Sequence, residues 1–363
     1  MPHKFTGLGP SQAQKYMKAT ALSSPVTLRD IAKKLGIHHS TVGRAMQNAP
    51  NISPARRQEI QEAARQMGYQ PNAMATMLGH QRHAHERRTI SAEVAWINCW
   101  RTPNELRKHR EFDLYWKGAS LRAEQNGYRL EEFICGDRLS PSRLEQILQT
   151  RNIHGILLPP LGGSPLPSEW DHIDWKNFSI VRFGYSVATP HTHLVTSNQM
   201  AAGQIAIENM WRLGYRRIGF VANTDRLRNF KGGLFMKQSE LGPELKLSLF
   251  EYSQTPDFSD NVRRFSAWLK KNRPEALLTD VIQTRETLVK LGYRIPEDIG
   301  LAATSILDGN SDAGIDQNSE EIGKAAAETL LSLMNHHEYG IPDVVREVLI
   351  TGKWVDGSML PKR

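Results

Sequence analysis

Residues 26–79 read VTLRDIAKKLGIHHSTVGRAMQNAPNISPARRQEIQEAARQMGYQPNAMATMLG, and this stretch decides the fold of the N-terminal part of the chain. Thr27 and Asp30 have the spacing of a capping box, in which side-chain oxygens satisfy the free N–H groups of a first helical turn. Gly36 follows eight residues with helical apolar periodicity and is placed to end that helix. The stretch therefore opens with a short helix that stops at a glycine turn.

A second helix is predicted to begin near His38 or His39. Val42, Ala45 and Met46 recur at helical spacing, and the residues between them are polar. Helix, glycine turn and helix in this order predict a helix-turn-helix, whose second helix enters the major groove of DNA.

A third helix has the clearest start signal in the chain. Ser53 is its predicted N-cap, Pro54 takes the first helical position, and Gly68 is placed to end it. Pro71 blocks any continuation, and Asn72 can cap a further helix of about six residues that is too short to be stable alone.

Three blocks, VTLRDIAKKLGI, STVGRAMQNAPNIS and GYQPNAMATML, resemble in order and spacing the lactose-repressor (LacI/GalR) family of bacterial transcription regulators. The resemblance implies that the helix beginning at Asn72 is a hinge helix that folds on DNA, with Ala75 within it. Leu78 would then be an apolar lever inserted at a central base step in the minor groove.

Direct base contacts are assigned to the predicted recognition helix. An exposed guanidinium at Arg44 can grip guanine O6 and N7 with two hydrogen bonds, although a phosphate contact is the alternative. By the family resemblance, His39 and Ser40 match the two positions at which members vary their choice of operator.

Two residues of this helix depart from the family pattern. His38 and Gly43 stand where the family usually has serine, which weakens the expected N-cap and lowers helix propensity. Either the helix starts later than in the family, or contacts with DNA compensate. His38 is retained as a DNA-contact candidate.

Phosphate contacts fix the register of a protein on DNA and carry no sequence information. The resemblance assigns them to Thr27, Thr41, Asn48, Ser53 and Tyr69. For Thr27 and Ser53 a capping role alone explains the residue equally well. Arg57, beside Arg56, is either a phosphate contact or a solvated helix charge.

The charge of the chain is concentrated at its N-terminal end. Residues 1–88 hold 13 Lys and Arg against 4 Asp and Glu, whereas the remaining residues hold 33 against 34. A basic N-terminal segment on an otherwise nearly neutral chain is the charge distribution expected of a protein that binds phosphate groups. A solvated basic tail is the alternative interpretation.

Two cysteines, Cys99 and Cys135, fit a reducing compartment and are too few for a disulfide framework or a zinc site. Both are expected to be buried thiols. Residues 1–24 contain no uninterrupted apolar run, and no later run reaches the length of a membrane span. The sequence thus predicts a cytoplasmic protein with a mobile extension at residues 1–24 and no membrane contact.

Beyond residue 88, short apolar runs alternate with amphipathic segments. The predicted strands are Val94–Asn98, Leu130–Ile134, Gly155–Leu158, Ser179–Phe183, Arg217–Ala222, Leu247–Tyr252, Ala276–Thr279 and Gly300–Ala303. The predicted helices are Phe112–Asn126, Pro141–Thr150, Met200–Leu213, Asn261–Lys271 and Arg285–Leu291. This rhythm predicts repeated βαβ units and an α/β core of two doubly wound parallel-sheet subdomains.

The predicted domains are a helix-turn-helix at 25–71, a hinge helix and linker at 72–88, and a core at 89–363. The first subdomain is placed at 89–185 plus 316–342, and the second at 186–315 plus 343–363. The family resemblance extends more thinly over this core through NIHGILLPP, LVKLGYRIPEDIGLA and similar stretches. It implies a periplasmic-binding-protein-like topology in which the chain crosses three times and a ligand binds between the subdomains.

The residues predicted to bind a sugar-like effector are Trp100, Arg101, Arg228, Phe258, Asp280 and Gln317. Several polar positions of the family pocket are altered, since Thr279-Asp280 and Ser305-Ile306 stand where acidic or amide pairs are usual. The pattern that usually brings an arginine into the pocket is one residue out of step at Arg228. Ordinary packing or surface exposure remains an alternative for each of these residues.

Enzymatic function has little support. His191 and His193 lie two residues apart without further metal ligands nearby, and no nucleophile or phosphate-loop motif is present. No catalytic residue, metal or cofactor is predicted. The sequence indicates a homodimeric, sequence-specific repressor of a double-stranded DNA operator. The alternatives are a solute-binding or sensor protein with the same core, or a regulator that has lost effector control.

Overall fold

The computed structural model describes residues 26–46, 52–69, 92–135, 139–161, 170, 173–223, 228–252 and 258–363, with the backbone alone at residues 258 and 259. The chain divides into two compact units, residues 1–87 and 88–363. We call them the head and the core unit, and each is described by itself.

The head contains three short helices, α1 (Leu28–Leu35), α2 (His39–Met46) and α3 (Pro54–Gln66). They form as predicted, and their buried apolar side chains make one small core: Ile31, Ala32, Val42, Ala45, Ile52, Ile60 and Ala64. Met46 and Met67 pack against this core while remaining partly exposed.

Glycines with a left-handed backbone end the first and third helices. Gly36 follows α1 directly and has φ 64°. Gly68 follows Met67, the C-cap residue of α3, and has φ 70°. Glycine adopts this conformation without the steric cost of a Cβ atom, which explains why the sequence uses it at both positions.

The first subdomain of the core unit surrounds a six-stranded parallel sheet in the order β2-β1-β3-β4-β5-β11. Its strands are β1 (Ala92–Asn98), β2 (Tyr128–Ile134), β3 (Gly155–Leu158), β4 (Ser179–Phe183), β5 (His193–Ser197) and β11 (Glu347–Ile350). Its helices are α4 (Pro103–Lys108), α5 (Arg110–Gln125), α6 (Pro141–Thr150) and α11 (Ser319–Asn335). Helices α5 and α11 pack on one face of the sheet and α6 on the other.

The second subdomain repeats this plan with the strand order β7-β6-β8-β9-β10-β12, in which only the β10–β12 pair is antiparallel. Its strands are β6 (Arg217–Asn223), β7 (Lys246–Tyr252), β8 (Ala276–Thr279), β9 (Gly300–Ala303), β10 (Gly314–Asp316) and β12 (Lys353–Val355). Its helices are α7 (Gln199–Arg212), α8 (Arg228–Leu241), α9 (Phe258–Asn272) and α10 (Thr284–Lys290). The two sheets confirm the predicted pair of doubly wound subdomains.

The chain crosses between the two sheets three times, after β5, after β10 and between β11 and β12. The number of crossings agrees with the sequence analysis, but two of the positions were wrong. Strand His193–Ser197 belongs to the first sheet, so the first crossing follows residue 197 rather than 185. Strand Glu347–Ile350 also pairs in the first sheet, so the last crossing follows residue 350 rather than 342.

The two cysteines are free thiols at the carboxyl ends of neighbouring strands. Cys135 is buried, as predicted, whereas Cys99 is only half-buried and packs against the same apolar cluster. The prediction of burial is therefore wrong for Cys99, which this cluster covers only in part. No helix in the described ranges has the length and apolarity needed to cross a bilayer.

Candidate DNA-binding surface and effector cleft

Helix α2 divides its residues between the core of the head and the outside. Val42 and Ala45 are fully buried, whereas His39, Ser40 and Arg44 are exposed. The exposed residues share the face opposite the buried pair, because side chains at helical spacing of three to four residues lie on one side. The helix therefore offers a hydrogen-bonding surface with one cation.

His38 acts as the N-cap of α2, although the sequence analysis treats it as a weak one. Its Nδ1 atom accepts a hydrogen bond from the Ser40 backbone N–H (3.3 Å), and the Ser40 hydroxyl lies 2.8 Å from the same atom. The His38 carbonyl accepts bonds from the N–H groups of Thr41 and Val42. The helix begins at His39, one residue after this cap.

Arg44 is anchored only lightly. Its Nε atom lies 3.4 Å from the Ser40 carbonyl of the same helix, and the side chain is exposed. No ion pair of Arg44 is found among the described residues. The guanidinium is therefore available for an external partner.

The C-terminal end of α2 is tied to α3 through Gln61, whose Nε2 atom donates to the Ala45 carbonyl (3.1 Å). This bond satisfies one of the carbonyl groups that a helix leaves unpaired at its end. It holds the orientation of α2 against α3.

For Thr27 and Ser53 a capping role and a phosphate contact were both left open, and in the structure only Thr27 has the capping role. The Asp30 N–H donates to the Thr27 hydroxyl (3.3 Å) and the Thr27 N–H donates to the Asp30 carboxylate (2.8 Å), which together form the capping box. The Thr27 hydroxyl also donates to that carboxylate (2.7 Å). The same contacts lower the pKa of Asp30. Ser53 precedes Pro54 at the start of α3 but makes no side-chain capping bond, so its exposed hydroxyl is not used in that role.

Arg57 holds the backbone of the head: its Nη2 atom donates to the Ile52 carbonyl (3.2 Å), and its side chain is half-buried. Tyr69 also packs against the head core, and burial raises the pKa of its hydroxyl. Thr41 is half-buried on α2. Four further DNA-contact candidates, Asn48, Asn72, Ala75 and Leu78, lie outside the described residues.

In the core unit, three predicted effector residues connect the loops that follow neighbouring strands. Trp100, after β1, donates from Nε1 to the Pro160 carbonyl (2.7 Å). Asp280, after β8, accepts from the Asn223 N–H (3.1 Å), and Gln317, after β10, donates to the Thr304 carbonyl (3.0 Å). All three lie at carboxyl ends of strands, where doubly wound sheets bind ligands.

Arg101 is exposed directly after Trp100, and Arg228 is exposed at the first residue of α8. Phe258 begins α9, and its side chain lies outside the described part of the structure. The structure thus places the six predicted residues after strands of both sheets.

A contact that no sequence pattern indicates joins the two subdomains. Asp308, in the loop after β9, accepts hydrogen bonds from the backbone N–H groups of Arg110 (3.1 Å) and Glu111 (3.2 Å) at the start of α5. The Arg110 guanidinium donates to the Leu307 carbonyl (3.1 Å). A carboxylate at a helix N-terminus satisfies unpaired N–H groups and the helix dipole. We call these bonds the Asp308 clasp.

Glu111 carries the most perturbed carboxyl group of this contact. Burial raises the pKa of Glu111 to about 7; a hydrogen bond with Ser305 opposes the shift, and the charges of Asp308 and Asp316 add to it. The Oε1 atom is buried and has no hydrogen-bond partner among the described residues. Burial, with the charges of Glu111 and Asp308, also raises the pKa of Tyr115, one turn along α5.

The described residues include no group of three or more His, Cys, Asp and Glu side chains that could hold a metal ion. His193 lies buried in β5, where Nδ1 accepts a hydrogen bond from the Arg346 N–H (3.0 Å). Burial lowers its pKa. The residue stabilises the edge of the first sheet.

Residues 27–72 match the family model described as bacterial regulatory proteins, lacI family. Residues 207–355 match the periplasmic binding protein-like domain. The chain thus combines a lacI-type DNA-binding domain with a periplasmic binding protein-like domain. It is therefore a DNA-binding transcriptional regulator, and the matched ranges cover the helices of the head and most of the second subdomain.

Individual relatives agree with this assignment. The HTH-type transcriptional regulator MalR of Streptococcus pneumoniae serotype 4 is 25% identical over 335 residues, which are 86% of this chain and 94% of MalR. The structure of the transcriptional regulator CelR with cellobiose has a TM-score of 0.53 and 18% identity, covering 92% of this chain and 99% of CelR. The lac repressor dimer bound to operator and the anti-inducer ONPF has a TM-score of 0.51 and 15% identity, covering 93% and 100%.

Proposed function

We propose that this lacI-family regulator is a homodimeric repressor in which α2 of each head reads one half of an operator. The observation that carries the proposal is the division of α2, with Val42 and Ala45 buried and His39, Ser40 and Arg44 exposed. Such a helix can enter the major groove with its polar face toward the base edges. Ser53, whose exposed hydroxyl makes no capping bond, is a proposed contact with the phosphate backbone of the DNA.

Dimerisation is supported by geometry and by exposed apolar residues of the core unit. One short helix-turn-helix reads only a half-site, so pairing is the usual route to adequate specificity. Val289 on α10 is 61% exposed and Leu121 on α5 is 42% exposed, and a second copy of the chain would cover them. The related lac repressor is a dimer on its operator.

We further propose that a small sugar-like molecule binds in the cleft between the subdomains and changes operator binding. The CelR complex with cellobiose provides the precedent within this fold. In this chain the proposed ligand contacts are Trp100, Arg101, Arg228, Phe258, Asp280 and Gln317. An indole ring can stack on a sugar, and carboxylate and amide groups can bind its hydroxyls.

This assignment makes the protein a regulator that acts on chromosomal DNA, hence in the cytoplasm, and not an enzyme. The test begins with selection of bound sequences from random double-stranded DNA by the full-length protein. We expect a two-fold symmetric site with half-sites about one helical turn apart or a multiple of it. Enrichment of no sequence would contradict the proposal.

The effector is tested with the selected site by fluorescence anisotropy in the presence of mono- and disaccharides, cellobiose included. A sugar that changes operator affinity should lose its effect in Phe258→Ala and Asp280→Ala, while ligand-free operator binding stays intact. A normal response in both variants would remove these residues from the proposed site. If no sugar changes operator affinity, the sugar-like effector is wrong, and the DNA-binding assignment is unaffected.

A further inference from the structure

The second subdomain contains a basin at the opposite edge of its sheet from the effector cleft. It has a volume of about 590 Å³ and lies against the amino ends of strands, beside Arg217 at the start of β6 and Glu275 directly before β8. The proposed effector residues of this subdomain follow the carboxyl ends of the same strands. The basin is therefore a separate place on the molecule.

Four cations and two carboxylates line the basin: Arg217, Lys270, Arg273, Arg363, Glu275 and Asp298. Both carboxylates are already engaged. Oε1 of Glu275 is shared by Arg217 (3.1 Å) and Arg363 (2.9 Å), and its Oε2 accepts two backbone N–H bonds. Asp298 pairs with Arg294 (2.8 Å).

Lys270 and Arg273 have no carboxylate partner in the part of the chain that the structure describes. Both side chains are exposed at the C-terminal end of α9, the second of them one residue beyond the helix. Two cations without internal partners face a basin whose acidic groups are occupied. The lining therefore has an excess of positive charge that an anionic ligand would balance.

The backbone of Arg273 supports a role for its side chain. The residue has φ 45°, in the left-handed region where helices commonly end on glycine because a Cβ atom is unfavourable. Its structural contacts are made by its backbone, since its N–H donates to the Leu269 carbonyl and its carbonyl accepts from Arg217 Nε. Glycine would make the same two bonds without strain, so folding alone does not explain an arginine here.

We propose that this basin binds a small molecule with at least two negative charges, of the phosphate-ester class, through Lys270 and Arg273. The volume lies within the usual range for small-molecule sites. Tyr293 and Ile299 supply an aromatic and an apolar surface for the uncharged part of the ligand. Arginine suits this task because its planar guanidinium binds two phosphate oxygens at once. The proposal does not rest on the sugar-like effector.

The test uses the full-length protein and isothermal titration with inorganic pyrophosphate, adenosine 5′-monophosphate and adenosine. We expect both anions to bind, with affinities that decrease as salt is raised, and adenosine to bind at least tenfold more weakly than its monophosphate. Absence of binding by both anions would overturn the proposal. Equal binding of adenosine and its monophosphate would show that the charges are not recognised, and it would overturn the proposal too.

Two variants locate the binding. Arg273→Gly removes the cation and relieves the backbone, so its melting temperature should be equal to or above that of the wild type. Lys270→Gln removes the second cation. Each should weaken anion binding at least tenfold, whereas Lys271→Gln, the neighbouring lysine outside the basin lining, should leave it unchanged. Unchanged affinity in both basin variants would show that the anions bind elsewhere.

The head could itself attract phosphate groups, and Arg44→Ala controls for this. Anion binding that persists in Arg44→Ala and is lost in Arg273→Gly places the site in the basin. The reverse pattern would assign it to the DNA-binding surface and refute the inference. Operator binding without added anion should be the same in Arg273→Gly and the wild type.

Discussion

The His38 imidazole and the Ser40 backbone N–H are joined by a hydrogen bond of 3.3 Å that caps the recognition helix α2. Histidine is not among the preferred N-cap residues, yet its Nδ1 occupies the place of the usual side-chain oxygen. The helix that carries the proposed base contacts is therefore preceded by a histidine whose ring caps its first turn.

His38→Ala should loosen the first turn of α2 by about 0.5–1 kcal/mol, because the Ser40 N–H loses its acceptor. Native-state hydrogen exchange of the full-length protein, followed at the α2 amides, measures this loss. His39→Ala is the matched control, since His39 is the exposed neighbouring imidazole at the first helical position. Equal effects of the two substitutions would remove the capping role.

Gly43→Ala should stabilise α2 by about 0.5–1 kcal/mol, because glycine in a helix interior loses more backbone entropy than alanine. A Cβ atom at this position would lie 3.8 Å from the Leu28 Cδ1 atom, an ordinary contact. Hydrogen exchange of the α2 amides should slow. Gly36→Ala should do the opposite in α1, since a Cβ atom is unfavourable at φ 64°.

Arg44→Ala should lose about 1–3 kcal/mol of discrimination at one base pair while leaving the head folded. Arg44→Lys keeps the charge and loses the two-pronged hydrogen bonding, so it should also lose discrimination. Quantitative binding to the selected operator and to its single-base variants measures both. Equal weakening on every sequence would make Arg44 a phosphate contact.

Arg57→Ala should behave differently, because this guanidinium holds the Ile52 carbonyl inside the head. We expect faster hydrogen exchange across α3 and a general loss of DNA affinity, without a change in base preference. A change of preference at one base pair would contradict the anchoring role.

Glu111→Gln should stabilise the core unit at pH 8 by about 1–3 kcal/mol and have little effect near pH 4.5. The pKa of Glu111 is raised to about 7 in the structure, above the ordinary value of 4.5, so the native contact favours the protonated form. The wild type therefore loses stability as pH rises from 4.5 through 7, and one pKa unit corresponds to about 1.4 kcal/mol. Urea denaturation at several pH values measures the difference in stability between the two proteins, which should grow as pH rises from 4.5 to 8. A difference that stays constant with pH would contradict the prediction.

Asp308→Ala should favour opening of the cleft, because the first turn of α5 loses its capping carboxylate. Loss of such a cap costs about 1 kcal/mol, which changes a two-state equilibrium roughly fivefold. Small-angle scattering of the full-length protein should show a larger radius of gyration. Asp343→Ala, at an exposed loop aspartate before β11, should leave the radius unchanged.

Local signals made most of the fold predictable. The central strands of both sheets, such as Gly155–Leu158 and Ala276–Thr279, are buried on both faces and are therefore continuous apolar runs. The strands that the sequence analysis missed lie toward the sheet edges and are short or polar, as in His193–Ser197 and Lys353–Val355. Their pairing depends on partners far away in the chain, which no local pattern reveals.

The DNA-binding surface and the contacts of the core unit were only partly predictable from local sequence signals. The exposed face of α2 follows from helical periodicity, but a capping role for His38 does not follow from its residue type. The Asp308 clasp joins residues 198 positions apart, so the acidic side chain has no local signature as a helix cap. Arg273 looks like any surface arginine in the sequence, and only its backbone conformation distinguishes it.

Residues 347–355 supply the sixth strand of both sheets, and only Thr351 and Gly352 separate the two strands. During synthesis, neither sheet can be complete until this segment has left the ribosome. Until then the nascent chain presents two unpaired edges, at His193–Ser197 and Gly314–Asp316, which are open to wrong pairing with other chains. Residues 347–355 thus complete both sheets of the core unit, and a chain without them would have an unpaired edge strand in each sheet.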